Sequence, residues 1–314
     1  MKIPKLSKSL FLYLLMLSFI FIATCGLSLS TIQESKPKEK IVPDKIETKE
    51  FTPNPTLKDN INTFPIISAQ AVLAIDLASM TPLYEKNPDL TLLPASTTKI
   101  VTALVAMDYF QDNNVLKVDG FKTDGQKVGL VEGEEITAGN LLDALLIFSA
   151  NDAAETLAQN YPGGIEGFVA AMNEKVKEYN LANTYFDNPV GFDGNNHYST
   201  ARDLIRIAII AMKNPRFAQR VSQKEKIITS VDGKNVHKII STNKLLGTME
   251  GVSGVKTGWT ENARENMVTY IERGDKKVMI ALLGSQDRFG ETKEVIDWIF
   301  ANYEWKEVKF SYSP

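Results

Sequence analysis

The chain has 314 residues, with 35 Lys and Arg against 38 Asp and Glu, a formal charge of −3. That balance argues against a nucleic-acid partner. One Cys and two His leave too few ligands for a zinc cluster and too few thiols for an internal disulfide. With 44% hydrophobic and 23% charged residues, the chain can bury a core of one or two lobes. No metal or cofactor is expected.

At the amino end, Lys2, Lys5 and Lys8 precede an apolar run from Leu10 to Leu29, and no acidic residue occurs before Glu34. Residues 1–29 therefore read as an export signal or membrane anchor. At about 1.5 Å per residue, a helix of that run spans roughly the 30 Å of a bilayer core. The positive flank then leaves the rest of the chain on the extracytoplasmic face of the cytoplasmic membrane. Ile22-Ala23-Thr24-Cys25 loosely matches a lipoprotein processing box, so lipidation at Cys25 is a second expectation, and cleavage with secretion a third. Residues 30–65 read as a disordered tether, because Glu34 to Asn60 is rich in Lys, Glu, Asp and Thr and carries Pro37, Pro43, Pro53 and Pro55.

Ordered structure is expected from 66 to 306, followed by a tail at 307–314. Ala71–Ile75 and Pro82–Tyr84 flank Ser79-Met80-Thr81, the pattern of a hairpin. Ala95–Phe110 reads as a helix apolar around most of its circumference, hence a central one. Further helices are expected at Ala138–Phe148, Asp152–Gln159, Ile165–Tyr179 and Thr200–Met212. Strands follow at Lys226–Thr229, Gly251–Thr257, Met267–Ile271 and Lys277–Leu283, the last two joined by a turn at Gly274-Asp275. The last helix, Glu291–Tyr303, places Val295, Ile296, Ile299, Phe300 and Tyr303 on one face. Strands at both ends with helices between them imply an α/β (α+β) fold: one antiparallel sheet built from both chain ends, with an inserted helical lobe.

A Ser–His–Asp hydrolase could draw only on His197 or His237, and no GxSxG elbow is present. A serine can instead be activated by a neutral amine, provided that burial or nearby positive charge lowers the lysine pKa. Ser-x-x-Lys supplies such a pair on one helix face. The pattern begins at Ser35, Ser96, Ser241 and Ser253, but of these Ser96 alone opens a long apolar helix. An N-cap at Ser96 with Lys99 reaching solvent is the competing reading of that segment. Ser149-Ala150-Asn151 follows 53 residues after Ser96, and Lys256-Thr257-Gly258 follows 107 residues after Ser149. Ser241-Thr242-Asn243 is too close to Lys256 to be the middle motif. The ordered set SxxK, SxN, KTG points to an acyl-transferring serine site.

With these motifs, the chain over Ile67 to Tyr303 resembles the low-molecular-mass D-alanyl-D-alanine carboxypeptidases, the serine-type penicillin-binding proteins. "AVLAIDLASMTPLYEKNPDLTLLPASTTKIVTALVA", "NTYFDNPVGFDGNNHYSTARDL" and "DRFGETKEVIDWIFANY" share in that likeness. The resemblance implies a β-lactamase/transpeptidase-like fold, peptidoglycan stem peptides ending in D-Ala-D-Ala as substrate, and β-lactam antibiotics as inhibitors. It implies Ser96 as the acylated nucleophile, Lys99 as its base and Ser149 as a proton relay. Asn151 would hold a substrate carbonyl, while Lys256 and Thr257 bind the terminal carboxylate. Gly258 would let the peptide lie along the strand, and the backbone N–H groups of Ser96 and Trp259 would form an oxyanion hole.

Two positions depart from the family pattern: Ala150 stands where Gly is usual, and Arg264 follows Ala263 where Gly is usual. The latter is expected to reshape the outer cleft. His197 reads as structural, and Arg202 and Asp203 as local ion pairing at a helix start. Alternatives are a D,D-endopeptidase acting on cross-links and a β-lactamase, for which Glu178 is the nearest candidate to activate water. A wall-binding protein with a degenerate site is the non-enzymatic alternative, opposed by the intact motif residues.

Overall fold

The computed structural model describes residues 54–61, 63–120 and 124–306. The anchor segment with Cys25, the tether up to residue 53 and the tail at 307–314 lie outside the described residues. Among those described, no helix is long and apolar enough to cross a membrane.

The chain enters as β1 (Asn54–Leu57), then forms the hairpin β2 (Ala71–Asp76) and β3 (Pro82–Lys86). A 3-10 turn, Ala95–Thr98, runs without a break into α1 (Lys99–Tyr109). After β4 (Val115–Lys117) and β5 (Glu135–Thr137), α2 (Ala138–Asp143) passes into a π turn, Ala144–Phe148. The helical lobe continues with α3 (Asn151–Gln159), α4 (Gly164–Glu178), α5 (Ala201–Met212) and α6 (Pro215–Val221). A hairpin, β6 (Glu225–Thr229) and β7 (Val236–Ile240), precedes β8 (Val252–Thr260), β9 (Arg264–Arg273) and β10 (Lys276–Ser285). The described chain closes with α7 (Arg288–Asn302) and β11 (Tyr303–Lys306).

The main sheet is antiparallel with order β3-β2-β10-β9-β8, so both chain ends contribute to it. Its register places Leu73 opposite Ala281 and Val72 opposite Leu282. Because side chains alternate across a strand, this register sorts the sheet into two apolar faces. Leu73, Ile75, Val268, Met279 and Ala281 pack against the helical lobe. Val72, Ala74, Met267, Ile280 and Leu282 pack against Val295, Ile296 and Ile299 of α7. Burial on both faces explains why β2 and β10 read as continuous apolar runs. Helix α1 is buried from Lys99 to Met107, as its apolar circumference predicts.

Caps set the helix starts. Thr200 accepts from Asp203 N ahead of α5, and Asp287 accepts from Gly290 N ahead of α7, which starts three residues before the expected Glu291. The reading of 30–65 as a tether needs correction at its carboxy end. Asn54–Leu57 pairs antiparallel with Tyr303–Lys306, Pro55 lying opposite Trp305. Proline is tolerated in such an edge pair because it gives up only one ladder donor. Strands β4, β5 and β7 were also not expected: β4 and β5 have three residues each, and β7 alternates in burial but carries the polar His237 at one of its two buried positions.

Candidate active site

Ser96 lies in the 3-10 turn ahead of α1, and neither the turn nor the helix carries a side-chain cap. Its hydroxyl instead meets Lys99, whose Nζ is 3.0 Å from Ser96 Oγ. One helical turn separates the two residues, which puts them on one face. Lys99 does not reach solvent: it is fully buried and also donates to Asn151 Oδ1 at 2.7 Å and to the Val190 carbonyl. The competing reading, a capping serine with a solvated lysine, fails on both counts.

Ser149 ends the π turn with φ at +69°, and Ala95, the first residue of the 3-10 turn, has φ at +49°. Left-handed backbone at non-glycine residues costs on the order of 1–3 kcal/mol and persists where the surroundings over-determine it. Here it turns Ser149 Oγ toward Lys256, whose Nζ donates to it at 2.8 Å and to Thr257 O at 2.9 Å. Asn151 is fixed by its own N–H to Gln126 O and by Nδ2 to Asp124 O, both at 2.7 Å. Thr257 Oγ1 lies 2.7 Å from Thr242 Oγ1. Gly258 is required by close approach, since a Cβ there would sit 3.0 Å from Ser96 N and 3.1 Å from Pro94 O. Gly191 presses on the same turn from the other side, where a Cβ would fall 2.1 Å from Ala95 O.

These residues surround a cleft of about 640 Å³ between the edge strand β8 and the helical lobe, lined by Ser96, Ser149, Asn151, Thr257, Gly258 and Trp259 among others. Burial holds Lys99 down at about 7, opposed by the negative charge of Asp152. Lys256 is pushed well below its ordinary value, first by burial and then by the positive charges of Lys99 and Arg288. Lys99 can therefore exchange a proton with Ser96 near neutral pH, while burial and two cations weaken the hold of Lys256 on its proton.

Lys256, which the resemblance assigns to the terminal carboxylate together with Thr257, is buried, and its Nζ reaches Ser149 Oγ and Thr257 O. Among the described residues, the cation lining the cleft is Arg288, which donates to Gly258 O at 2.9 Å. Arg288 was missed, as were Thr242 and Asp193, which also line the cleft. The segment "DRFGETKEV" was noticed, yet nothing in its periodicity marks an arginine that folds back over β8. Missed too was Asn188, whose Oδ1 accepts from the N–H groups of Val190, Gly191 and Phe192 and so shapes the loop that receives Lys99.

The remaining assignments sort by geometry. His197 is buried between Thr98 Oγ1 at 2.8 Å and Asp187 Oδ1 at 2.9 Å, bracing the turn from behind rather than lining the cleft. Arg202 forms a two-pronged pair with Asp89 at 2.7 and 3.0 Å, and Asp203 accepts from Thr184 Oγ1 at 2.9 Å. Glu178 ends α4 and lies 3.5 Å from Lys175, away from the cleft lining. Ala150 is fully buried; Arg264 is exposed at the start of β9, opposite the cleft-lining Thr260, with its backbone in the left-handed region at φ +58°.

Comparison with known proteins agrees with this arrangement. The profile of the D-alanyl-D-alanine carboxypeptidase family, peptidase S11, matches residues 58–287. A D-alanyl-D-alanine carboxypeptidase of Mycobacterium tuberculosis is 35% identical over 243 residues, covering 74% of this chain and 82% of that protein. One from Bacillus subtilis is 30% identical over 246 residues, covering 75% of this chain and 63% of that protein, so the chain spans less than two thirds of that relative's length. The crystal structure of the Streptomyces K15 DD-transpeptidase superposes with a TM-score of 0.72 at 30% identity, covering 76% of this chain and all (100%) of that one. With its ordered serine and lysine motifs assembled in one cleft on the transpeptidase fold, the chain belongs to the serine-type D-alanyl-D-alanine carboxypeptidase family.

Proposed function

We propose that this protein is a D,D-carboxypeptidase that removes the terminal D-alanine from peptidoglycan stem peptides through an acyl-enzyme on Ser96. The observation that carries this reading is the 3.0 Å contact between Ser96 Oγ and a buried Lys99 held at about 7. Neutral Lys99 takes the Ser96 proton as Oγ attacks the carbonyl carbon of the penultimate D-alanine. The backbone N–H groups of Ser96 and Trp259 receive the oxyanion, an effect typically worth about 10²–10³ in rate. As the tetrahedral adduct collapses, Ser149 passes a proton to the departing amine and is resupplied by Lys256 at 2.8 Å. Water then cleaves the acyl ester and regenerates the serine.

The terminal carboxylate suits the Thr257 and Thr242 hydroxyls, 2.7 Å apart, and the Arg288 guanidinium, all of which line the cleft. Penicillins, as cyclic acylating agents carrying a carboxylate, fit the same groups. The Lys2, Lys5 and Lys8 flank and the apolar run to Leu29 support an amino-terminal membrane anchor, with the catalytic lobe on the extracytoplasmic side.

The test is Ser96→Ala. It abolishes labelling by a fluorescent penicillin and D-alanine release, followed by mass spectrometry of digested stem peptides, while the melting temperature stays near wild type because Ser96 provides no cap. Retained labelling removes Ser96 from the mechanism. Rapid loss of label from the wild-type protein supports the β-lactamase alternative instead, although Glu178 stands away from the cleft lining.

A further inference from the structure

The loop from Asp187 to His197 connects the two walls of the cleft. Its helix-side end is pinned by His197 to Thr98, by Val190 O to Lys99 and by the tight fit of Gly191 against Ala95. Its far end is pinned differently. Asp193 Oδ1 accepts from Thr260 Oγ1 at 2.7 Å, and Oδ2 accepts from Asn262 Nδ2 at 3.0 Å. Thr260 is the last residue of β8 and also accepts from Ala263 N at 2.9 Å, so the Asp193 carboxylate holds the whole β8–β9 corner.

Phe192 and Asp193 line one wall of the cleft and Trp259, Thr260 and Glu261 the other, so the walls meet at the Asp193–Thr260 bond. Thr257, beside the proposed carboxylate position, is three residues back along the strand, roughly 10 Å at about 3.3 Å per residue. A peptide laid along β8 with its carboxylate at Thr257 therefore directs its acyl-donor residues toward this bridge.

We propose that Asp193 is a positioning residue that straps the 187–197 loop to the β8–β9 corner and so limits the bulk the enzyme accepts on the acyl-donor side of the scissile bond. The proposal rests on the reading of the cleft as an acyl-transfer site. The strap acts through geometry: its two hydrogen bonds set the distance between the Phe192 and Trp259 walls, and a linear donor passes where a branched one does not.

The test compares kcat/KM for a linear acetylated peptide ending in D-Ala-D-Ala with that for the same peptide carrying a peptide branch on the residue before the two D-alanines. In Asp193→Ala the branched-to-linear ratio rises about tenfold, the scale of losing a hydrogen bond to a charged group, with the gain in the KM of the branched peptide. Asp193→Asn keeps the ratio close to wild type, because its carbonyl still accepts from Thr260 and the Asn262 amide can turn to accept from the new NH₂. If Asp193→Ala does not fold, Asn262→Ala carries the test, with a rise of about threefold expected from loss of one of the two bonds. An unchanged ratio in the variant that folds overturns the strap alone. A ratio that rises equally in Asp193→Asn and Asp193→Ala also overturns it, since charge rather than closure then matters. Wild-type protein that cleaves neither peptide overturns the underlying reading and the strap with it.

Discussion

Ser96–Lys99 and Ser149–Lys256 are two serine–lysine pairs in one cleft, assembled in opposite ways. The first is local, its members three residues apart and one turn of backbone from each other. The second joins the end of a π turn to the middle of a strand across 107 residues. Their electrostatics differ as well. Lys99 has the Asp152 carboxylate in its surroundings, which offsets part of the burial and leaves it at about 7. Lys256 has two cations, Lys99 and Arg288, and both act in the same direction as burial. A buried amine near an anion is poised to alternate between charged and neutral forms around neutral pH, which suits a base that takes a proton and returns it. At Lys256 burial and both neighbouring cations favour the neutral amine, with no anion among the causes to oppose them.

The largest separation between the pairs is expected from Lys99→Ala, which should lower the rate of penicillin acylation by about 10³–10⁴, the upper part of the range for a lost general base. Near-normal acylation in a stopped-flow assay would make Lys256 or water the base and collapse the distinction between the pairs. Lys256→Gln is expected to reduce kcat/KM by about 10², and to the same degree for a free-carboxylate peptide and its amide-capped analogue. Arg288→Gln should instead be selective, losing about 10- to 150-fold on the free-carboxylate peptide and little on the capped one, as a charge-assisted bond of roughly 1.5–3 kcal/mol requires. If Lys256→Gln shows that selectivity and Arg288→Gln does not, the carboxylate belongs to the lysine after all.

The smaller effects concern pH. Lys99 must be neutral to act, so acylation should rise through about pH 7 and fall about tenfold per unit on the acid side. Asp152→Asn removes the charge that raises Lys99 and should move this acid limb to lower pH. A limb that stays in place would mean that Asp152 serves only to hold the backbone N–H groups of Val128, Gly129 and Leu130.

Much of the architecture was legible because it depends on local periodicity. The continuous apolar runs of β2 and β10, the all-round apolar surface of α1 and the hairpin at Gly274 each follow from side-chain spacing and turn chemistry over a few residues. The pairing of β1 with β11 was not, since four residues with a proline give no alternation to detect. Ser96 and Lys99 could be singled out because one helix turn fixes their separation. The order of SxxK, SxN and KTG then tied Ser149, Asn151, Lys256, Thr257 and Gly258 to the same site.

By itself, the sequence determined the sheet built from both chain ends, the inserted helices and the identity of the motif residues, all set by short-range spacing and order along the chain. Tertiary structure alone decided which atoms each residue meets. Lys256 reaches Ser149, Thr242 meets Thr257, and Arg288 folds over Gly258. Val190 offers Lys99 a carbonyl, and Asp193 closes the far end of the cleft. The physical reason is that strand register and loop packing join segments tens to more than a hundred residues apart. A difference of one residue in register sends a side chain to the opposite face, and no local pattern records which face is chosen.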